Sequence, residues 1–355
     1  MTEINSIENI SKLPVFFIIG RPRSGTTLLR TLLDAHPNVM IPLESPIFIV
    51  LYNKYHGITK WDNATIDMLC DDLKKVPKFG SWTIDIGNIR KSLKNSNGML
   101  TYAEICKIIY ANYQSFFKKG EIKIIGDKNP PYIDYIKKLN KIFPEAKFVY
   151  LQRDYRDQII SMRKLRTENP GISIQLFRWK QAYKNFLNFK NKFPARCLEI
   201  KYEDLTRQPE KILTEVCSFF NLEYYGEMLE FYKIKDEVYS KYPKDVIDRA
   251  FKSLFSPINT EHVSTWKKQL NEKEERIADV MAGRYAKIAG YERRFETRSL
   301  FIYLMEIPNI LYCFVVPVVY KFLNALPFRW NIKFRKKIAK VMGRNFYRLK
   351  LYNDY

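Results

Sequence analysis

Histidine is scarce in this chain. The three present in 355 residues, at positions 36, 56 and 262, lack the spacing of a metal site, and no paired-aspartate loop for magnesium accompanies them. Metal-assisted chemistry is therefore not expected. Cysteine is nearly as sparse: the five, at 70, 106, 197, 217 and 313, are odd in number, lie far apart and form no Cys-x-x-Cys pair. That pattern indicates neither a disulfide framework nor a zinc site, and it suits a reducing compartment. Helix-turn-helix patterns and aromatic RNA-binding signatures are also missing, so the net charge of +22 does not point to nucleic acid. The opening residues Met1 to Glu8 contain acids and no apolar core segment, unlike a secretory signal, and a cytoplasmic location is expected. Fixed-period repeats and low-complexity linkers are absent, while an apolar fraction of 46% is ample for one large domain or two small ones.

What is present begins with Val15-Phe16-Phe17-Ile18-Ile19-Gly20, an apolar strand-like run. Arg21-Pro22-Arg23-Ser24-Gly25-Thr26-Thr27 follows, then leucines at 28, 29, 32 and 33 at helical spacing. A strand, a loop and a helix in that order aim successive backbone N–H groups and a helix N-terminus at one point, which holds a phosphate-like group. Gly20, Gly25 and the two threonines have the spacing of a nucleotide-binding P-loop, but Thr26 stands where an ATPase or GTPase carries lysine. Without that lysine the clamp on β- and γ-phosphates is missing, and Arg23 is the nearest replacement cation. A phosphate-like ligand other than a nucleoside triphosphate is expected. The plainer alternative is an ordinary strand-to-helix turn with Ser24 as N-cap.

Lys147-Phe148-Val149-Tyr150-Leu151 reads as a buried strand that ends in Arg153-Asp154 and leads into a helix bearing Ser161. The strand end delivers a cation and the helix a hydroxyl. This pair, the loop at 20–27, Leu33-Asp34-Ala35-His36-Pro37 and Glu44 together resemble the sulfotransferases that use 3′-phosphoadenosine 5′-phosphosulfate (PAPS). The resemblance covers roughly residues 14–290 and is nearest to the branch that includes tyrosylprotein sulfotransferases and many bacterial enzymes.

Strand candidates at 14–20, 38–41, 121–126, 146–152 and 196–201 alternate with helical patterns near 24–35, 132–142, 155–166 and 209–221. That alternation predicts an α/β fold with a P-loop-like, mainly parallel sheet flanked by helices, and ligands at the carboxyl ends of its strands. Residues 1–13 read as an N-terminal extension and 14–295 as the main domain, with a helical insertion at 45–118 where an acceptor pocket is expected. In the helical segment 172–192, Leu176, Trp179, Tyr183, Phe186 and Leu187 fall near one face and read as core rather than pocket.

The resemblance also implies roles. Arg23, Ser24, Gly25, Thr26 and Thr27 would hold the 5′-phosphosulfate, and Arg153 and Ser161 the 3′-phosphate that separates PAPS from ATP. Lys128, in the family's Lys-x-Pro context, would stabilise charge on the oxygen that bridges phosphate and sulfate. Glu44, in Pro42-Leu43-Glu44-Ser45-Pro46, matches the catalytic glutamate of the tyrosylprotein branch and would take the acceptor's proton. Pro46 stands where that branch has a substrate-binding arginine. His36 is the rival base, although its place before Pro37 reads better as a buried structural group. Tyr202 is a candidate nucleotide contact, and Ser264 and Lys267 are candidates for a late loop over the 3′-phosphate, each against a plain reading as packing or solvated surface.

The tail, 296–355, differs from the rest. Ser299 to Tyr320 is nearly all apolar, while the stretch from Lys321 to Tyr355 carries ten Lys or Arg against one acid, Asp354. Glu306, Pro308, Asn309 and Pro317 interrupt the apolar run, so an interfacial segment at an anionic membrane is expected rather than a clean transmembrane helix. The plain alternative is a hydrophobic helix packed on the domain. The tail favours a lipid-like, sterol or glycan acceptor, or another small molecule, with protein tyrosine third because of Pro46. The rivals are a P-loop kinase, opposed by Thr26, and a non-catalytic nucleotide- or membrane-binding protein, favoured if Lys128 and Glu44 do not converge on the loop.

Overall fold

Five apolar runs become the strands β1 (Val15–Gly20), β2 (Val39–Met40), β3 (Ile124–Lys128), β4 (Lys147–Gln152) and β5 (Cys197–Lys201). They appear in a computed structural model that describes residues 7–96, 98–164, 171–234, 238–239, 254–296 and 299–325. Every pairing is parallel, in the order β2-β3-β1-β4-β5. The fold is therefore α/β, as the alternation of strand and helix patterns implies. All six residues of β1 are buried, which explains why it reads as a continuous apolar run rather than an alternating one. The register places Lys128 opposite Ile18, Leu151 opposite Gly20 and Lys201 opposite Gln152, so the carboxyl ends of these strands share one edge.

β3 begins and ends later than expected from sequence, and Lys128 is its last residue rather than one beyond it. Gly126, Asp127 and Lys128 do not look like strand residues, but a Cβ on Gly126 would collide with the Phe16 ring. Bare backbone is what lets β3 lie beside β1 there. Phe17 packs with Phe48, Tyr132, Phe143 and Phe148 at centroid separations of 5.4–6.0 Å, and Phe16 with Phe220 at 4.3 Å. Truncating a buried phenylalanine of this kind costs about 3–5 kcal/mol.

The described residues divide into two compact units: those that fall within 1–20, 25–152 and 189–260 form the first, and those within 21–24, 153–188 and 261–325 the second. In the first, the segment between β2 and β3 is helical, with elements that include Asn63–Leu73, Ile86–Lys94 and Tyr102–Ala111 capped by Asp62, Asp85 and Thr101. Its interior is aromatic: Phe48 stacks on Tyr110 at 4.4 Å, and Trp82 meets Tyr110 edge-on at 5.0 Å. In the second unit, Leu176, Trp179, Tyr183 and Phe186 are buried, and the stripe is core as expected, with Leu187 partly exposed. Beyond Ser299 the chain forms two helices, Leu300–Met305 and Ile307–Ala325; the second runs through Pro317 rather than breaking there. No described helix is long and apolar enough to cross a membrane. The basic cluster Lys333–Lys340 lies outside the described residues.

Candidate active site

β1 ends at Gly20, and the helix Thr26–Asp34 begins after Gly25, which has φ +90°. A Cβ on Gly25 would collide with the Tyr202 ring, so both conformation and space require glycine here. Tyr202 thus meets the loop through its ring rather than as an open side chain. The first amides of the helix have no intrahelical acceptor and are the donors that an anion would meet. Ser24 is neither the N-cap nor an open donor: its N–H donates to Arg21 O at 3.3 Å, and its hydroxyl accepts from Gln158 Nε2 at 3.0 Å.

Within the first unit Lys128, Glu44 and Thr27 come together. Lys128 Nζ donates to Glu44 Oε2 at 2.9 Å and to Thr27 Oγ1 at 3.3 Å. Lys78 Nζ, from the helical insertion, donates to Glu44 Oε1 at 2.7 Å. Burial alone would raise the Glu44 carboxyl, but the charges of Lys128 and then Lys78, with their hydrogen bonds, outweigh it and hold the group at about 2. Burial lowers the Lys128 ammonium, and Glu44 opposes that shift. The backbone around Glu44 is fixed from three sides. Arg30 donates to Ile41 O at 2.8 Å and to Pro42 O at 3.2 Å, Trp82 Nε1 to Leu43 O at 2.7 Å, and Ser45 Oγ to Pro77 O at 3.0 Å. Beside Lys128, buried Asp127 accepts from Tyr110 Oη at 2.8 Å and Asn129 Nδ2 at 2.7 Å, and burial pushes its carboxyl up to about 7.

In the second unit Arg23, Ser161 and Arg153 come together. Arg23, at φ +70°, donates from Nε to Ser161 Oγ at 2.9 Å; Arg153 donates to Arg23 O at 2.9 Å and to His262 O at 2.6 Å. The His262 imidazole is held below its ordinary value first by partial burial, then by the charges of Arg153, Lys164 and Arg23. A positive field of that kind suits a bound anion. Ser264, also at positive φ (+59°), is tied by its N–H to Asp157 Oδ2 at 2.7 Å, while Thr265 Oγ1 and the Trp266 amide donate to Asp157 Oδ1 at 2.8 and 2.9 Å. Lys267 is exposed, with its ammonium 5.8 Å from the Trp266 ring centroid. His36 is structural: Nδ1 accepts from the Asn38 amide at 3.0 Å, which leaves Nε2–H to donate to Glu223 O at 2.8 Å.

A profile of the sulfotransferase family matches residues 14–226. The chain is a member of the sulfotransferase family. This sulfotransferase is similar to a putative protein-tyrosine sulfotransferase of Caenorhabditis briggsae, 24% identical over 78% of this chain and 89% of the relative. It is also similar to protein-tyrosine sulfotransferase 1 of Danio rerio, 25% identical over 79% of this chain and 73% of the relative. Among solved structures, the sulfotransferase domain from the Synechococcus PCC 7002 olefin synthase shares the fold, with a TM-score of 0.51 at 20% identity over 79% of this chain and 95% of that one.

Two residues of this sulfotransferase escape a reading of its motifs. Lys78 lies in the insertion, at φ +64°, and nothing in its neighbourhood of sequence announces that it reaches Glu44. Asp157 follows the Arg153-Asp154 pair by one helical turn, and that spacing is the one signal that could have marked it as the clamp on the segment 264–266.

Proposed function

We propose that this sulfotransferase moves a sulfuryl group from PAPS to a hydroxyl of a lipid-like, sterol or glycan acceptor. The observation that carries the reading is the convergence on Lys128 at the start of the loop helix, where its Nζ lies 2.9 Å from Glu44 Oε2 and 3.3 Å from Thr27 Oγ1. Arg153 and Ser161, both hydrogen-bonded to Arg23 of the loop, suit the 3′-phosphate, and PAPS supplies the transferable sulfuryl group. In the transfer, the acceptor oxygen bonds to sulfur while the sulfur–oxygen bond to the phosphate breaks. The acceptor proton goes to a Glu44 oxygen, and the Lys128 ammonium meets the charge left on the departing oxygen.

A carboxylate held at about 2 by two lysines is a weak base at rest. As negative charge grows on the departing oxygen, Lys128 turns its attraction from Glu44 toward that oxygen, and the carboxylate gains basicity when the proton must move.

A second reading, transfer to a protein tyrosine, is favoured by relatives that bear that name over 78% and 79% of this chain. Two measurements test these readings. Calorimetry without magnesium should show 3′,5′-adenosine bisphosphate bound far more tightly than ATP; equal affinity would overturn PAPS as the donor. Label transfer from ³⁵S-PAPS should then reach a hydroxyl lipid or glycan in preference to tyrosine peptides, and the reverse preference would establish the second reading.

A further inference from the structure

The two helices after Ser299 leave a broad apolar face in water. In Leu300–Met305, Ile302 is buried and the Tyr303 hydroxyl donates to Val280 O at 3.1 Å, which docks that side on the helix Glu272–Ala282. The opposite side presents Leu300, Phe301, Leu304 and Met305. In the next helix Ile307, Leu311, Phe314, Val315 and Val318 are exposed at the three- and four-residue steps that put side chains on one helical face. Their exposures run from 44% to 75%, a density of large apolar groups that marks an interaction surface rather than scattered singles.

Charge selects the occupant. Before these helices Arg293, Arg294 and Arg298 stand among Glu292 and Glu296, a near balance, whereas the sequence from Lys321 to Tyr355 brings ten Lys or Arg against one acid. A second copy would bring a second set of the same cations to the interface, whereas an anionic lipid surface offers both an apolar boundary and neutralising charge. No described helix can cross a bilayer, so the fitting geometry is a helix lying in the interface plane. We infer that the helices 300–305 and 307–325 are a docking surface for an anionic lipid bilayer, seated by their apolar face and held by the basic residues that follow them in sequence. This does not depend on the acceptor: an enzyme acting on a soluble hydroxyl would carry the same surface.

Vesicle sedimentation with the full chain tests it. Vesicles of phosphatidylcholine and phosphatidylglycerol should bind at least tenfold better than phosphatidylcholine alone at low salt, with most of that preference lost at high salt. The triple variant Leu304→Asp, Leu311→Asp, Val315→Asp should lose at least tenfold in binding while its melting temperature and its affinity for 3′,5′-adenosine bisphosphate hold. Neutralising Lys333, Arg335, Lys336 and Lys337 to glutamine should remove the lipid-charge preference. Full-length protein that ignores anionic vesicles, or binds neutral ones equally well, overturns the proposal, and so does a triple variant that binds like wild type. Sedimentation velocity covers the other occupant: a wild-type dimer that the triple variant converts to monomer would show a second copy on this face and overturn it too.

Discussion

In the first unit, Lys78 and Lys128 close on opposite oxygens of one carboxylate, whereas in the second, Arg23 and Arg153 spend hydrogen bonds on the Ser161 hydroxyl and on backbone carbonyls. The partners decide what each cluster is suited for. Opposed charges on Glu44 and its lysines balance at rest and can be redistributed as a proton and a leaving charge move. The hydrogen bonds of Arg23 and Arg153 described above run to neutral oxygens, and after burial the charges of Arg153, Lys164 and Arg23 add to the lowering of the His262 imidazole. One arrangement suits a step in which charge shifts, and the other suits holding a charge that does not change.

That contrast can be broken by experiment. The largest expected effect is on chemistry alone: Lys128→Ala should lower single-turnover transfer by about 10²–10³, the usual loss for a donor aimed at developing charge, with product-nucleotide affinity within a few-fold. Glu44→Gln should follow the same pattern. Parallel losses of binding and rate would show that the two clusters do not divide the work.

Arg153→Ala should do the opposite. It should weaken 3′,5′-adenosine bisphosphate by about 1.5–3 kcal/mol in calorimetry, as for a hydrogen bond to a charged group, while transfer at saturating donor changes little. A rate defect at saturation would move Arg153 into the chemical step.

The smallest effect sharpens the first cluster. A nearby cation favours the ionised carboxylate, so removing one in Lys78→Met should raise the Glu44 value above about 2. The acid limb of the pH–rate profile should then move to higher pH, and Lys78→Arg should restore it. A profile that stays in place would leave Lys78 as packing only.

The fold was legible because parallel strands buried on both faces are written as apolar runs; Val15–Gly20 and Lys147–Gln152 stand within one residue of their expected bounds. The later end of β3 was not, since Gly126, Asp127 and Lys128 are shaped by Phe16, Tyr110 and Glu44, which lie far away in sequence. The same cause hid Lys78 and Asp157. Motif residues such as Arg23, Ser161 and Glu44 carry their spacing in the chain, but a clamp made across 34 positions at Lys78 leaves no local trace, and one across 107 at Asp157 leaves only its one-turn spacing from Arg153-Asp154. The turn bond from the Ser24 N–H to Arg21 O is likewise set by the loop's closed shape and has no signature in the sequence.

The division of the chain bears on when the protein can become a protein. Arg21–Ser24 belong with segments that start at Arg153 and resume at Glu261, while β1, made just before them, needs β3 and β4 as sheet neighbours. During synthesis residues 15–24 therefore emerge early and wait through most of translation for the segments that complete the unit each belongs to. Pairings so distant in sequence make folding slow and leave the apolar β1 segment exposed to aggregation until late, so expression yield should depend on chaperone supply more than on the stability of the finished fold.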